Sequence, residues 1–162
     1  MAATDIPVTT AIRMLREKKV SFIPHFYPFE DHGGTAHAAA SLGVDEHSVI
    51  KTLAMQTDDR RTFLVLMHGD REVSTKQLAR TVGAKRVEPC DPATVTRLTG
   101  YMVGGVSPFG TRSRLPVYVE RSILELPCLY INGGKRGFLV EIAPGALAAA
   151  LTPTPVDVAI EP

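Results

Sequence analysis

The sequence has almost no net charge: 18 basic residues stand against 17 acidic ones, a formal +1. Such a chain generates no bulk field that would draw it onto nucleic acid or anionic lipid, so any polyanion has to be held by local patches. It is equally poor in cysteine. Cys90 and Cys128 lie far apart, without a CxxC motif or a neighbouring Cys/His pair, which excludes a disulfide framework and a zinc site as organising features. No apolar run approaches the about 20 residues that cross a bilayer, and the opening MAATDIPVTT lacks the charged-then-apolar order of a signal peptide. These absences lead to the expectation of a cytoplasmic protein that does not engage a membrane.

What is present is an ordinary globular composition: 162 residues, 44% apolar and 22% charged, enough for a sizeable core and suited to one domain over residues 1–162. In VTTAIRMLREKKV, Val8, Ile12 and Leu15 recur at helical spacing, with Thr9 or Thr10 able to cap. A strand is expected in SFIPHFY, then a helix in TAHAAASLG with Thr35 as N-cap and Gly43 as its left-handed stop. VIKTLAMQ and RTFLVLMH, joined by the polar turn from Thr57 to Arg60, read as a hairpin. Ser74 with Gln77 three residues on opens another helix that Gly83 ends, and Asp91-Pro92 opens one that stops near Gly100. The second half alternates short β-rich runs (YMVGGV, LPVYVE, CLYIN, GFLVEI) with glycine and proline, an Asn132-Gly133 hairpin turn lying between two of them, before an alanine-rich helix in PGALAAALT. This order predicts an α+β fold with a mixed sheet containing antiparallel pairs.

One residue breaks the apolar pattern. Lys51 sits inside VIKTLAM, sharing a face with Val49 and Leu53 if the segment is a strand. It is either an edge lysine whose amine reaches water or an ammonium lining a cleft that receives negative charge, because a buried cation needs an anion or a lowered pKa. Two glycine-rich loops, GYMVGGVSPFGTR and YINGGKRGF, are either plain turns or ligand loops. Their exposed amides, with Arg112 and Arg114 beside the first and Lys135 and Arg136 in the second, suit a phosphate or a terminal nucleotide. A nucleotide-triphosphate loop is excluded, since Arg136 follows Gly-Lys and the GxxxxGK spacing is absent. His32 and His37 complete no metal set, Ser74 is used as a cap and not in a Ser/Lys dyad with Lys76, and Cys90 at a helix start reads as a bystander. With no nucleophile, metal or cofactor signalled, an enzyme built on this chain would work by positioning and charge.

VIKTL, TGYMVGGVSPFG and INGGKRG, in this order and spacing, resemble the YbaK/ProX aminoacyl-tRNA deacylases, relatives of the editing domain inserted in bacterial prolyl-tRNA synthetases. The resemblance implies a barrel-like mixed sheet flanked by helices, with a cleft for the aminoacylated 3′ adenosine of tRNA. It implies that Lys51 is the catalytic lysine, that Gly104, Gly105 and Ser107 line the aminoacyl pocket, and that Asn132, Gly133 and Gly134 border the ribose, with Tyr27 nearby. The substrate implied is a mischarged tRNA, tRNA(Pro) first, carrying cysteine or another small amino acid; prolyl-tRNA synthetase is the implied partner, and no cofactor is needed. In cysteine-specific relatives a serine stands where this chain has Asn132, which leaves the amino acid open. The alternative to a hydrolase is a non-catalytic module of the same fold that binds tRNA or a synthetase.

Overall fold

The computed structural model describes residues 5–162; of the opening MAATDIPVTT, residues 1–4 lie outside the described part. Helix α1 (Thr10–Glu17) begins where its cap dictates: the Thr9 hydroxyl accepts the Ile12 N–H at 3.1 Å, a bond of the kind worth about 1 kcal/mol. Ile12 and Leu15 are fully buried, but Val8, expected on the same apolar face, precedes the cap and is 64% exposed. Strand β1 (Ile23–Phe26) follows, then α2 (Gly34–Leu42), closed by Gly43 in the left-handed region. Gly33 and not Thr35 precedes α2, because the Thr35 hydroxyl is committed elsewhere, donating to Glu46 Oε2 at 2.8 Å.

The expected hairpin is present as β2 (Val49–Thr57) and β3 (Thr62–His68), paired antiparallel from Ile50 opposite His68 to Gln56 opposite Thr62. After the short β4 (Glu72–Val73), α3 (Thr75–Val82) starts on Ser74, whose hydroxyl accepts the Gln77 N–H, and stops at Gly83. Strand β5 (Val87–Pro89) leads into α4 (Pro92–Thr99), capped by Asp91 and ended by Gly100. YMVGGV, expected to be β-rich, forms no strand: the chain from Gly100 to Pro116 is a loop, pinned where the buried Tyr101 ring donates its hydroxyl to the Phe109 carbonyl at 2.5 Å. The rest comprises β6 (Val117–Glu120), β7 (Leu129–Lys135), β8 (Phe138–Ile142), α5 (Pro144–Leu151), β9 (Thr154–Val156) and β10 (Ala159–Ile160). Asn132-Gly133 is not the β7–β8 turn. Both residues lie within β7, at the edge of a register shift between Asn132 and Lys135, and Arg136-Gly137 makes the turn with Gly137 at φ +76°.

The large sheet runs β1-β8-β7-β2-β3-β6-β9, with β5 also on β2, and mixes antiparallel pairs with the parallel pairs β2–β7, β3–β6 and β6–β9. The α+β reading with a mixed sheet therefore holds. The barrel-like form is not shown: among the described residues the ladder is open, with β1 and β9 at its two ends. Alternation along β2 divides the core as the period of two requires. Ile50 packs with α1 and α5 residues such as Ile12 and Leu147, whereas Val49 packs with Ala38 and Ala39 of α2 and Met55 with Leu78 of α3.

Candidate active site

Strand β2 changes neighbours along one edge, and that change opens the site. It pairs with β7 at Val49 and Ile50, and with β5 from Met55 to Thr57. Across Lys51–Ala54 the two neighbours diverge, and a cleft of about 810 Å³ occupies the space, bordered by the β1–α2 segment, the 100–116 loop and the β7–β8 turn. Its lining brings together Lys51, Tyr27, Gly104, Asn132 and Arg136 on a mostly apolar ground of residues such as Ala38, Val106 and Leu139.

Lys51 is half-buried and makes no ion pair or hydrogen bond among the described residues. Desolvation pushes its ammonium below the ordinary lysine value of 10.5, and the carboxylates of Glu72, Glu46 and Asp70 oppose that shift without cancelling it. Beside it, the buried Thr52 hydroxyl has no hydrogen-bond partner among the described residues. A poorly solvated ammonium in an apolar cleft, with no protein anion in contact, is suited to meeting negative charge on a ligand.

The field around Lys51 is organised from the start of β2 and the end of β3. His47 and His68 stack with centroids 3.7 Å apart, and His47 Nδ1 bonds Asp70 at 2.8 Å. His68 bonds the His47 carbonyl through Nδ1 at 2.6 Å and Ser122 through Nε2 at 2.7 Å. Because Nδ1 must donate to a carbonyl, Nε2 accepts from Ser122 when the ring is neutral. Burial lowers the His68 pKa below 6.5. Burial also works to raise the Asp70 carboxyl, but the His47 bond and the charges of His47, Arg71 and His68 bring it below its ordinary value.

The two glycine loops lock into each other. Asn132 Oδ1 accepts the Gly134 N–H at 2.6 Å and the Lys135 N–H at 3.0 Å, and Nδ2 donates to the Gly104 carbonyl at 3.3 Å. Arg136 lies 4.9 Å over the Phe29 ring and donates from Nε to the Val103 carbonyl at 2.9 Å. Gly104 has φ +94°, and a Cβ there would stand 3.0 Å from the Phe29 ring. At Gly105 it would stand 2.8 Å from the Arg136 backbone nitrogen, so the first loop needs glycine where the β7–β8 turn meets it.

Other expected site residues stand outside the cleft lining. Gly133 and Gly134 pack against Phe138, Tyr101 and Thr9, and the Thr9 hydroxyl donates to the Gly133 carbonyl at 2.6 Å. Gly105 backs the β7–β8 turn, and Ser107 is fully buried with its hydroxyl accepting the Phe109 N–H at 3.2 Å. Arg112, Arg114 and Lys135 are exposed, with Arg112 beside Gly100. Tyr27 lines the cleft, its phenol pushed up by burial. Burial likewise raises the Cys90 thiol, a poor setting for a nucleophile, and both cysteines are free. Sequence reasoning missed Phe29, Thr52 and Glu72 as lining residues. Phe29 sits two residues beyond Tyr27 in HFYPF and was within reach of inspection, whereas nothing in the sequence links Glu72 to Lys51.

The model of the aminoacyl-tRNA editing domain family matches residues 30–150. A curated Enterococcus faecalis protein, EbsC, named as a candidate Cys-tRNA(Pro)/Cys-tRNA(Cys) deacylase, is 31% identical over 140 residues, 86% of this chain and 85% of that one. A proline–tRNA ligase of Desulfovibrio desulfuricans is 36% identical over 84 residues, which are 52% of this chain but only 14% of the ligase. Among solved structures, hypothetical protein APE2540 superposes with a TM-score of 0.85 at 25% identity, over 94% of this chain and all of that one. A candidate trans-editing enzyme for prolyl-tRNA synthetase superposes with a TM-score of 0.79 at 22% identity, over 94% of this chain and 98% of that one, a likeness of fold. The chain belongs to the aminoacyl-tRNA editing domain family, the group of YbaK-type deacylases and prolyl-tRNA synthetase-associated domains.

Proposed function

We propose that the chain is a trans-acting aminoacyl-tRNA deacylase that hydrolyses the ester of mischarged tRNA, Cys-tRNA(Pro) or another small amino acid on tRNA(Pro), working as one domain in the cytoplasm. The observation that carries this reading is Lys51, desolvated and without a protein anion, on the wall of an apolar cleft at the split in the sheet. Family membership and the name of EbsC support the reaction class and the cysteine substrate. Water, or the substrate's own thiol when the amino acid is cysteine, attacks the ester carbonyl. The ester C–O bond breaks, and the ribose hydroxyl leaves with a proton. Lys51 offsets the negative charge that develops on the carbonyl oxygen. Gly104 and Asn132 shape the pocket wall, and Gly105, Ser107, Gly133 and Gly134 hold that wall from behind. Arg136 stands at the mouth, where a phosphate would pass, and Arg112, Arg114 and Lys135 lie further out. Prolyl-tRNA synthetase is the proposed partner in delivery, consistent with the near-neutral charge.

The test is deacylation of tRNA(Pro) charged with cysteine, alanine, serine or proline by the wild type and by Lys51→Ala. Release of one mischarged amino acid by the wild type, lost in a folded variant, supports the hydrolase and names its specificity. Tight tRNA binding without release from any substrate would favour the non-catalytic module.

A further inference from the structure

The cleft is not the only concavity on this side of the fold. A groove of about 410 Å³ lies between α3 and β5, lined by Asp58, Thr75, Lys76, Lys85, Arg86 and Glu88 among others. Thr75 lines both the groove and the cleft, and β5 runs from Glu88 in the groove to Pro89, which the cleft shares with Cys90. The two adjoin at Thr75. Within residues 75–88 the chain places four cations, Lys76, Arg80, Lys85 and Arg86, against one carboxylate, Glu88, in a protein whose whole formal charge is +1. All four are exposed, and none enters an ion pair among the described residues. Both acidic groups lining the groove are already engaged by uncharged donors: Asp58 Oδ1 accepts the Arg86 N–H at 3.2 Å, and Glu88 Oε1 accepts from Gln56 Nε2 at 3.3 Å.

Distance selects the occupant. Asp58, which faces Arg86 across the β2–β5 pair, lies seven residues along the chain from Lys51, about 23 Å at the rise of an extended strand. That is beyond an esterified nucleoside held at Lys51, but within reach of the nucleic-acid strand that carries it. Cations without protein partners, on a surface that adjoins the cleft proposed for the 3′ end, are the arrangement that holds phosphates by counterion release.

On the reading given under Proposed function, we infer that the α3–β5 groove binds the phosphate backbone of the tRNA acceptor arm upstream of the aminoacylated end, with Lys76, Lys85 and Arg86 as contacts and Thr75 marking the passage into the cleft. This gives a near-neutral chain a local RNA-binding track of its own, separate from the basic residues of the glycine loops.

The test pairs two measurements on the wild type and on the triple variant Lys76→Glu/Lys85→Glu/Arg86→Glu. The first is the affinity for uncharged tRNA over a salt series. The variant is expected to bind roughly tenfold or more weakly near 0.1 M salt and with a shallower salt slope, since each lost phosphate contact removes about 0.7–0.9 from it. Unchanged affinity and slope would overturn the proposal and reassign the patch to an acidic protein partner. The second is hydrolysis of a full-length mischarged tRNA against a short 3′-aminoacylated oligonucleotide that ends before the groove. A rise in KM confined to the full-length substrate supports the groove; an equal loss on both substrates would overturn it as general damage. Wild type that binds tRNA through these residues but hydrolyses neither substrate would sink the deacylase reading and leave the groove standing.

Discussion

The Asn132 carboxamide joins the two glycine-rich loops, giving one hydrogen bond to the Gly104 carbonyl at 3.3 Å while its oxygen accepts the Gly134 and Lys135 amides. The Asn132 side chain is thus held by backbone on two sides. Asn132→Ala would leave two amides without an acceptor and release the 100–116 loop. The expected cost is about 1–3 kcal/mol in chemical denaturation, with substrate KM rising as the pocket wall loosens. A variant as stable as the wild type would show that other contacts carry the loop.

Lys51 separates stability from activity. Replacing a half-buried, unpartnered ammonium with an uncharged side chain removes a partly desolvated charge, so Lys51→Met is expected to fold at least as stably as the wild type while losing hydrolysis. Thermal melts and deacylation assays on one preparation check both halves.

The pH dependence follows from the same residue. Its folded pKa is depressed, so between that value and the ordinary 10.5 the unfolded chain binds more protons, and stability rises with pH across that window. Activity that needs the ammonium should fall as pH rises, along an alkaline limb whose midpoint lies below 10.5. Because Glu72 is the largest of the charges opposing the shift, Glu72→Gln should move that alkaline limb to lower pH. A limb that stays in place would mean that another group sets it.

His68 gives the acid side. Burial depresses its pKa below 6.5, so its contribution is intact above 6.5 and is lost as pH falls toward its folded value. His68→Leu is expected to flatten the stability profile over that range, whatever it does to absolute stability. Denaturation midpoints across pH 5–7 test the slope.

Gly105 reports on the contact between loop and turn. A Cβ there would sit 2.8 Å from the Arg136 amide nitrogen, which is backbone and cannot rotate aside. Gly105→Ala should cost about 1–3 kcal/mol by overpacking and disturb the mouth of the cleft, read as a lower melting temperature together with weaker substrate binding.

Much of this protein was fixed by local chemistry. The Thr9, Ser74 and Asp91 caps, the left-handed stops at Gly43, Gly83 and Gly100, and the β2–β3 hairpin were legible because each depends on residues a few positions apart. The anomaly of Lys51 in an apolar strand was legible too, since alternation assigns its face without knowledge of what stands opposite. Thr35 defeated that reasoning because its hydroxyl found Glu46, and the Asn132-Gly133 turn because three backbone and side-chain bonds to Asn132 kept those residues inside β7. Only the tertiary structure decided that β7 and β5 part across Lys51 to open a cleft, that Glu72, Glu46 and Asp70 set its field, and that Gly133, Gly134 and Ser107 stand outside the cleft lining. Each depends on contacts between segments tens of residues apart, where the balance between desolvation and distant charge is set by the packing of the whole sheet.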